Sequence, residues 1–495
     1  MGNQEAAPSP AAPTGPIKLD VPAKISYGIG SIAVGIKDAG FKSMLLIYYN
    51  QVIGLPAGKV AFAIMVALVI EAVLDPVIGY ISDNWHSRWG RRHPFMYISA
   101  VPSALTFLLL WFPPSGWSDD HLLIYLSCSA VILRSFIALY EIPSVSLVSE
   151  LTTDYDARTS LMSYRYYFFF TGGLILSLLT FRVFLQPDAE FPIGQLNPNG
   201  YHKYALVASA VMFVSIIIAG LGTHKYIPRL RRPTAKRKIT LWVSIKEMFQ
   251  TLSHRSFLMV TLAGLCKSCT IGISGALNLF LSTYYWHLNT NQIAILQLDS
   301  LFSAILAATL TRPLSRMFGK KWICMVFYVG AFLIGATPLL LRHFGLFWEN
   351  GSPELVPTLF VQGVAFSFTG MSSTILAQSM IADVVEDVER KTGRRNEGVL
   401  FSAGSLISKA ISGTGVFGAG LILSYIHFPE KAKPGEIPPE MLDKLAMTYL
   451  PVAAVLYVIG VACLWQYKIT RQSHEANLAA LGADPDQAQP QAANS

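Results

Sequence analysis

Residues 60–94 read VAFAIMVALVIEAVLDPVIGYISDNWHSRWGRRHP. This is an apolar run of membrane-spanning length, interrupted by Glu71 and Asp75 and closed by the basic loop Ser87-Arg88-Trp89-Gly90-Arg91-Arg92-His93-Pro94. Residues four apart share one face of an α-helix, so both carboxyls project to one place. Facing lipid, each ion would cost several kcal/mol, which makes the interior of a helix bundle their destination. Two carboxyls this close do not both ionise freely, and near neutral pH one of them holds a proton or a metal cation. That is the chemistry expected of ion coupling.

The rest of the chain supports a membrane setting. Only 14% of the 495 residues are charged and 52% are apolar, the balance of a polytopic membrane protein. About twelve apolar stretches are long enough to cross a bilayer at roughly 20 residues each. Lys18 and Lys24, Arg88, Arg91 and Arg92, Arg158, residues 225–238, 312–321 and 390–395, and Lys468 with Arg471 all fall on one side. The positive-inside rule makes that side cytoplasmic with both termini inside, and the expected location is the plasma (inner) membrane. The net charge of +8 is then an orientation signal and gives no reason to expect a nucleic-acid partner. Residues 1–17 are rich in Ala and Pro and lack the apolar core and cleavage site of a signal peptide. Residues 1–20 and 471–495 are therefore expected to be disordered cytoplasmic tails. All five cysteines fall in apolar segments, and Cys266-Lys-Ser-Cys269 has neither a second pair nor nearby histidines. Small helix-packing residues fit this pattern better than a metal or redox site.

The organisation is bipartite. A basic linker, residues 224–255, contains an amphipathic stretch at 239–252 and divides a bundle over residues 21–223 from one over 256–470. Gly79 and Asp83 precede the Arg88-Trp89-Gly90-Arg91-Arg92 loop after the second span. After the eighth, residues 312–321 (RPLSRMFGKK) carry a degraded echo. This repeat resembles the major facilitator fold: all-α, with six helices in each half and a substrate site between the halves near mid-membrane.

Several motifs then match one family in order and at nearly constant spacing. They are Lys24-Ile-Ser-Tyr27-Gly28-Ile-Gly30, Tyr48-Tyr49, Val52-Ile-Gly54-Leu55, Glu71-xxx-Asp75-Pro76-xx-Gly79, Ser87-Arg-Trp-Gly90 and Glu141-Ile-Pro143-xx-Ser146-Leu-Val148. With Ser163-Tyr164-Arg165, Ala382-Asp383-Val-Val-Glu386 and Ser408-Lys409, they resemble the melibiose permease-like glycoside-pentoside-hexuronide:cation symporters, over roughly residues 24–426. The resemblance implies cation-coupling carboxylates at Glu71, Asp75 and Glu141, and a substrate site of Asp38, Glu141, Arg165 and Lys409. At the family's sugar-contacting helix I acid this chain has Gly35, with Lys37 and Asp38 a turn later. Leu74 and Ala138 stand where the family carries an Asn and a Thr, so two oxygens that sodium would use are missing. The coupling ion expected is therefore a proton, with sodium at Glu71 and Asp75 as the alternative, and no other cofactor or metal is implied.

These readings give a secondary transporter of a glycoside-type sugar, working by alternating access, for which a monomer in membrane lipid suffices. The alternative on the same fold is a lysophospholipid or other amphipath, with which an acid missing at Gly35 is compatible. A polytopic membrane enzyme is the remote alternative, since the chain has no His-Glu-x-x-His, no Walker phosphate loop and no Gly-x-Ser-x-Gly. Asp83, Arg88, Arg91 and Arg92 are expected to form a cytoplasmic latch of charges paired with helix ends. Arg134, Lys267 and Asp299 lie within spans, where core pairing and pore lining both stand open, and snorkelling to the interface is open for Arg165.

Overall fold

The computed structural model describes residues 19–152, 154–230, 255–392, 397–433 and 435–467. The two expected tails, most of the linker and its amphipathic stretch lie outside these residues, apart from Leu19 and Asp20 at the start. Among the described residues every regular element is helical. The first half contains α1 (Val21–Ile29), α2 (Ser31–Ala39), α3 (Leu45–Ile47), α4 (Ala57–Asn84), α5 (His93–Leu110), α6 (Asp119–Leu151), α7 (Tyr155–Leu179) and α8 (Pro198–His224). The second contains α9 (Arg255–Phe280), α10 (Thr290–Leu296), α11 (Asp299–Phe318), α12 (Lys320–His343), α13 (Leu355–Thr392), α14 (Glu397–Tyr425) and α15 (Pro439–Trp465). Among the described residues ten helices are long and apolar enough to cross a membrane, and Ile411–Tyr425 within α14 is a shorter apolar helix. Residues 21–53 form a leading helical segment in which the π-helical turns Gly40–Met44 and Tyr48–Ile53 flank α3.

The chain forms two compact units, residues 1–45 with 66–237, and residues 46–65 with 238–495. In the first, α2 meets α7 backbone to backbone. A Cβ on Gly35 would stand 2.2 Å from the Phe169 carbonyl oxygen, and one on Gly173 would stand 3.2 Å from the Gly35 carbonyl oxygen. Small residues permit such approaches where apolar lipid supplies no hydrophobic drive. Trp111 at the end of α5 stacks on Tyr201 of α8 at 5.6 Å and meets Tyr204 edge-on at 5.3 Å, fixing that helix pair. Asp20 caps α1 by accepting from the Ala23 amide at 3.1 Å. The Lys225 ammonium, 2.6 Å away, and the Tyr226 hydroxyl hold its carboxyl below the usual aspartate range.

The second unit repeats the device. A Cβ on Gly415 of α14 would lie 2.2 Å from the Cys269 carbonyl oxygen, and one on Gly272 of α9 would lie 2.4 Å from the Ser412 carbonyl oxygen. The Cys269 backbone therefore belongs to a helix contact. The leading helices of the two halves also end alike, Tyr48 and Tyr49 in one π turn and Tyr284 and Tyr285 in another, all four side chains buried. Residues 46–65, the tip of the first hairpin, pack within this second unit. Buried Gln51 accepts from the Tyr284 hydroxyl at 2.8 Å and the Ala432 amide at 2.9 Å, and donates to the Pro429 carbonyl at 3.0 Å. The Gly58 amide donates to Ser424 at 3.1 Å.

Candidate functional site

Glu71 lies in the interior of the first unit with only 1% of its surface exposed. Its Oε1 accepts from the Lys37 ammonium of α2 at 3.2 Å, and its Oε2 accepts from Nη1 of Arg134 on α6. The Arg134 guanidinium rests on the Phe41 ring at 4.3 Å. Lys37 also reaches Asp38 Oδ1 at 3.2 Å, and Asp38 Oδ2 pairs with Lys42 at 3.0 Å. The result is a ladder of alternating charge, Lys42, Asp38, Lys37, Glu71, Arg134. It runs from a half-exposed lysine into the helix bundle and ties α2, α4 and α6 together. One turn along α4 from Glu71, Asp75 is half-buried, with its Oδ1 shielded from solvent.

A second cluster centres on Ser144 of α6. Arg165 of α7 is 7% exposed and donates through Nη1 to the Ser144 hydroxyl, while the Tyr27 hydroxyl of α1 donates to the Ser144 carbonyl at 2.8 Å. This position corrects the snorkelling alternative, because the Arg165 head turns inward. Tyr27, Tyr140 and Glu141 are its electrostatic neighbours. Glu141 is half-buried, one helical turn before Ser144, and its buried Oε2 accepts no hydrogen bond among the described residues. A proline stands just after each of two acids, Pro76 after Asp75 and Pro143 after Glu141. Lacking an N–H, these prolines release the helix carbonyls of Ala72 and Leu139 from their i to i−4 bonds.

Gly35 is not a vacated acid position. Its face is filled by the α7 backbone, so no side chain fits there, and Asp38 is the acid that α2 supplies, held between two lysines. The latch also needs correcting. Arg92 pairs with Asp83 and with Glu150 at 2.9 Å, Arg91 reaches Glu150 at 2.8 Å, and Arg92 donates to Ser82 at 2.7 Å. Arg88 instead lies over the Trp89 ring at 5.3 Å, a cation–π contact outside this cluster. Glu150, at the C-terminal end of α6, is the acid that sequence reasoning missed. Its signal was a carboxylate closing an apolar run, as Asp83 closes the preceding one.

In the second unit Lys409 lies half-buried on α14, beside Ser408, whose hydroxyl meets Ser268 at 2.7 Å. Lys267 is 8% exposed and donates to the Gly370 carbonyl, to Ser373 at 2.6 Å and to Thr374 at 2.6 Å, a cage of neutral oxygens on α13. Asp299 packs against Gly363, where a Cβ would come within 2.5 Å of its Oδ2. Lys320, at the start of α12, reaches both Asp383 oxygens at 2.7 and 2.9 Å, the counterpart of Arg92 with Glu150. The Glu386 side chain lies outside the described residues.

A family model described as MFS/sugar transport protein matches residues 26–471. The chain belongs to this family. Its relatives include the putative glycoside/cation symporter YagG of Escherichia coli, 24% identical, with 93% of this chain and 94% of the relative covered. The isoprimeverose transporter of Lactiplantibacillus pentosus is also 24% identical, over 90% of this chain and 88% of its own. Among solved structures the fold is shared with the xylose transporter XylE of E. coli at a TM-score of 0.61 and 14% identity, covering 92% of this chain and 98% of that one. The nucleoside transporter NupG matches at a TM-score of 0.60 and 14% identity, over 90% and 99%. The protein is thus a multi-pass membrane transporter of the major facilitator type, and neither its family nor these relatives are enzymes.

Proposed function

We propose that this member of the sugar transport family is a symporter of a glycoside-type sugar with a proton, seated in a plasma membrane with both termini cytoplasmic. The observation that carries the reading is the charged interior of the first unit. Asp38, Glu71, Asp75, Glu141 and Arg165 are held on four helices inside an apolar bundle, at a cost that a purely structural role seldom justifies. Leu74 beside Asp75 and fully buried Ala138 on α6 supply no side-chain oxygen, which favours a proton on a carboxylate over a sodium shell. Asp75 and Glu141 are the acids assigned to ion traffic. Asp38, Glu141 and Arg165 are assigned to the sugar, and Asp83, Arg91, Arg92 and Glu150 to the cytoplasmic latch. Occupancy of the acid by its ion would bias the two access states, which is all that coupling requires.

One observation favours sodium as a second reading: the carbonyls of Ala72 and Leu139, released by Pro76 and Pro143, are oxygens available near the acids. Both readings are tested by recording pH in a weakly buffered suspension of expressing cells while glycosides are added with and without sodium. Alkalinisation by one sugar, absent in Asp75→Asn, supports proton symport. Sodium-driven uptake at alkaline pH without proton movement overturns it. Silence across the panel, with the protein present in the membrane, transfers the assignment to an amphipathic cargo.

A further inference from the structure

We infer that Glu71 carries no coupling ion and serves instead as the fixed counter-ion of Lys37 and Arg134, a positioning residue that leaves proton traffic to the other buried acids. The inference deepens the proton-symport reading and rests on it for the words "proton traffic"; the pairing itself does not depend on it. Each Glu71 oxygen is occupied by a different cation, Lys37 from α2 and Arg134 from α6. Lys37 is 2% exposed and Arg134 4% exposed, so neither can turn to water while the bundle is packed. A sodium ion would have to displace one of them. A proton would do worse, because it would remove the counter-charge that Lys37 and Arg134 share. Protonating Glu71 would add uncompensated positive charge in a medium of low dielectric. Arginine does not give up a proton to relieve it.

Among the described residues, the charged groups around Glu71 include the following. On α2 and the π turn that follows stand Lys37, Asp38 and Lys42, with Phe41 under the guanidinium. On α6 stand Arg134 and, among the electrostatic neighbours of Lys37, Glu141. On its own helix Asp75 follows one turn later. Glu141 differs from Glu71 in having a buried oxygen with no donor among the described residues. The two acids four residues apart on α4, which look interchangeable in sequence, therefore have different work. Glu71 anchors α4 between α2 and α6, and this fixes where Asp75 stands.

The test is pH-difference infrared spectroscopy of the purified full-length protein in lipid, which reads the protonated carboxyl band without any substrate. Because Glu71→Gln takes the carboxylate from Arg134 and leaves Lys37 with Asp38 alone, the variant to compare is Glu71→Gln with Arg134→Gln. The band that appears on acidification should keep its wild-type intensity in this double variant and lose intensity in Asp75→Asn or Glu141→Gln. Arg134→Gln alone should gain a titrating carboxyl, since one Glu71 oxygen is then released. Loss of band intensity in the double variant, or no gain in Arg134→Gln, overturns the assignment of Glu71. A wild-type protein in which no carboxyl titrates, combined with sodium-driven uptake, removes the proton reading while leaving Glu71 as the fixed counter-ion.

Discussion

Glu71 in the first unit is a carboxylate enclosed by two bases, whereas Lys267 in the second is an ammonium enclosed by a carbonyl and two hydroxyls. Both sit inside apolar helices and both are nearly fully buried, so burial alone does not distinguish them. The difference lies in what is left behind when a partner is removed. Taking a base from Glu71 leaves a buried carboxylate with one cation in place of two. Taking Lys267 away strands nothing charged, and Ser373 and Thr374 keep their own bonds to the Gly370 carbonyl at 2.9 and 3.0 Å. The two helix-end pairs repeat the contrast in weaker form, with Arg92 and Glu150 both 6% exposed at the side chain while Lys320 opposite Asp383 is 38% exposed.

The sharpest way to break this comparison is to delete one cation from each unit. Arg134→Met should cost about 1.5–3 kcal/mol, the worth of a hydrogen bond to a buried charge, since Lys37 stays on Glu71. Lys267→Met should cost about 1 kcal/mol or less, since an apolar replacement leaves no ion unpaired. Equal losses of thermal stability in detergent would show that the neutral cage binds its ammonium as firmly as the carboxylate binds its bases. Next come the helix ends. Glu150→Gln should cost about 3 kcal/mol by removing the buried carboxylate that Arg91 and Arg92 share, with only exposed Asp83 left to Arg92, and Asp383→Asn about 1 kcal/mol because Lys320 can turn to water. The reverse ranking in chemical unfolding would undo the parallel.

The glycine contacts sharpen the likeness between the units instead. Gly35→Ala and Gly272→Ala should each cost about 1–3 kcal/mol by pushing a methyl into a facing carbonyl. Gly264→Ala, with open space around it, should gain up to about 1 kcal/mol from helix propensity. Differential scanning of the three variants checks both statements. The smallest effect concerns Asp20. With its carboxyl held below the ordinary range by Lys225, it adds stability above the unfolded-state pKa, and this is lost as pH falls through the lowered value. Asp20→Asn should therefore unfold earlier than the wild type at neutral pH and match it in acid.

The bundle and its acid pair were legible because a charge in a long apolar run is rare and the apolar runs themselves are long. What Gly35 does was not. In a sequence, glycine at the position of a missing acid looks like lost chemistry, and only the 2.2 Å approach of the α7 backbone shows it to be a packing requirement. Arg134 stood out as an unassigned cation, but its partner lies 63 residues away, a separation that no periodicity reveals. Glu150 was missed for a related reason: charges at a helix end and in a loop read alike until the turn geometry chooses which faces inward. Tyr48-Tyr49 and Tyr284-Tyr285 form a second repeat that the sequence reading did not use, and it emerges from the π turns that hold both.

The placement of residues 46–65 bears on how the protein could be divided. Gln51 finds its acceptors and donors on Tyr284, Pro429 and Ala432, all supplied by the later part of the chain. A gene split at the basic linker would thus yield an amino-terminal fragment whose hairpin tip lacks its own counterpart. The two fragments should accumulate only when made together, with the tip acting as the splint that joins them.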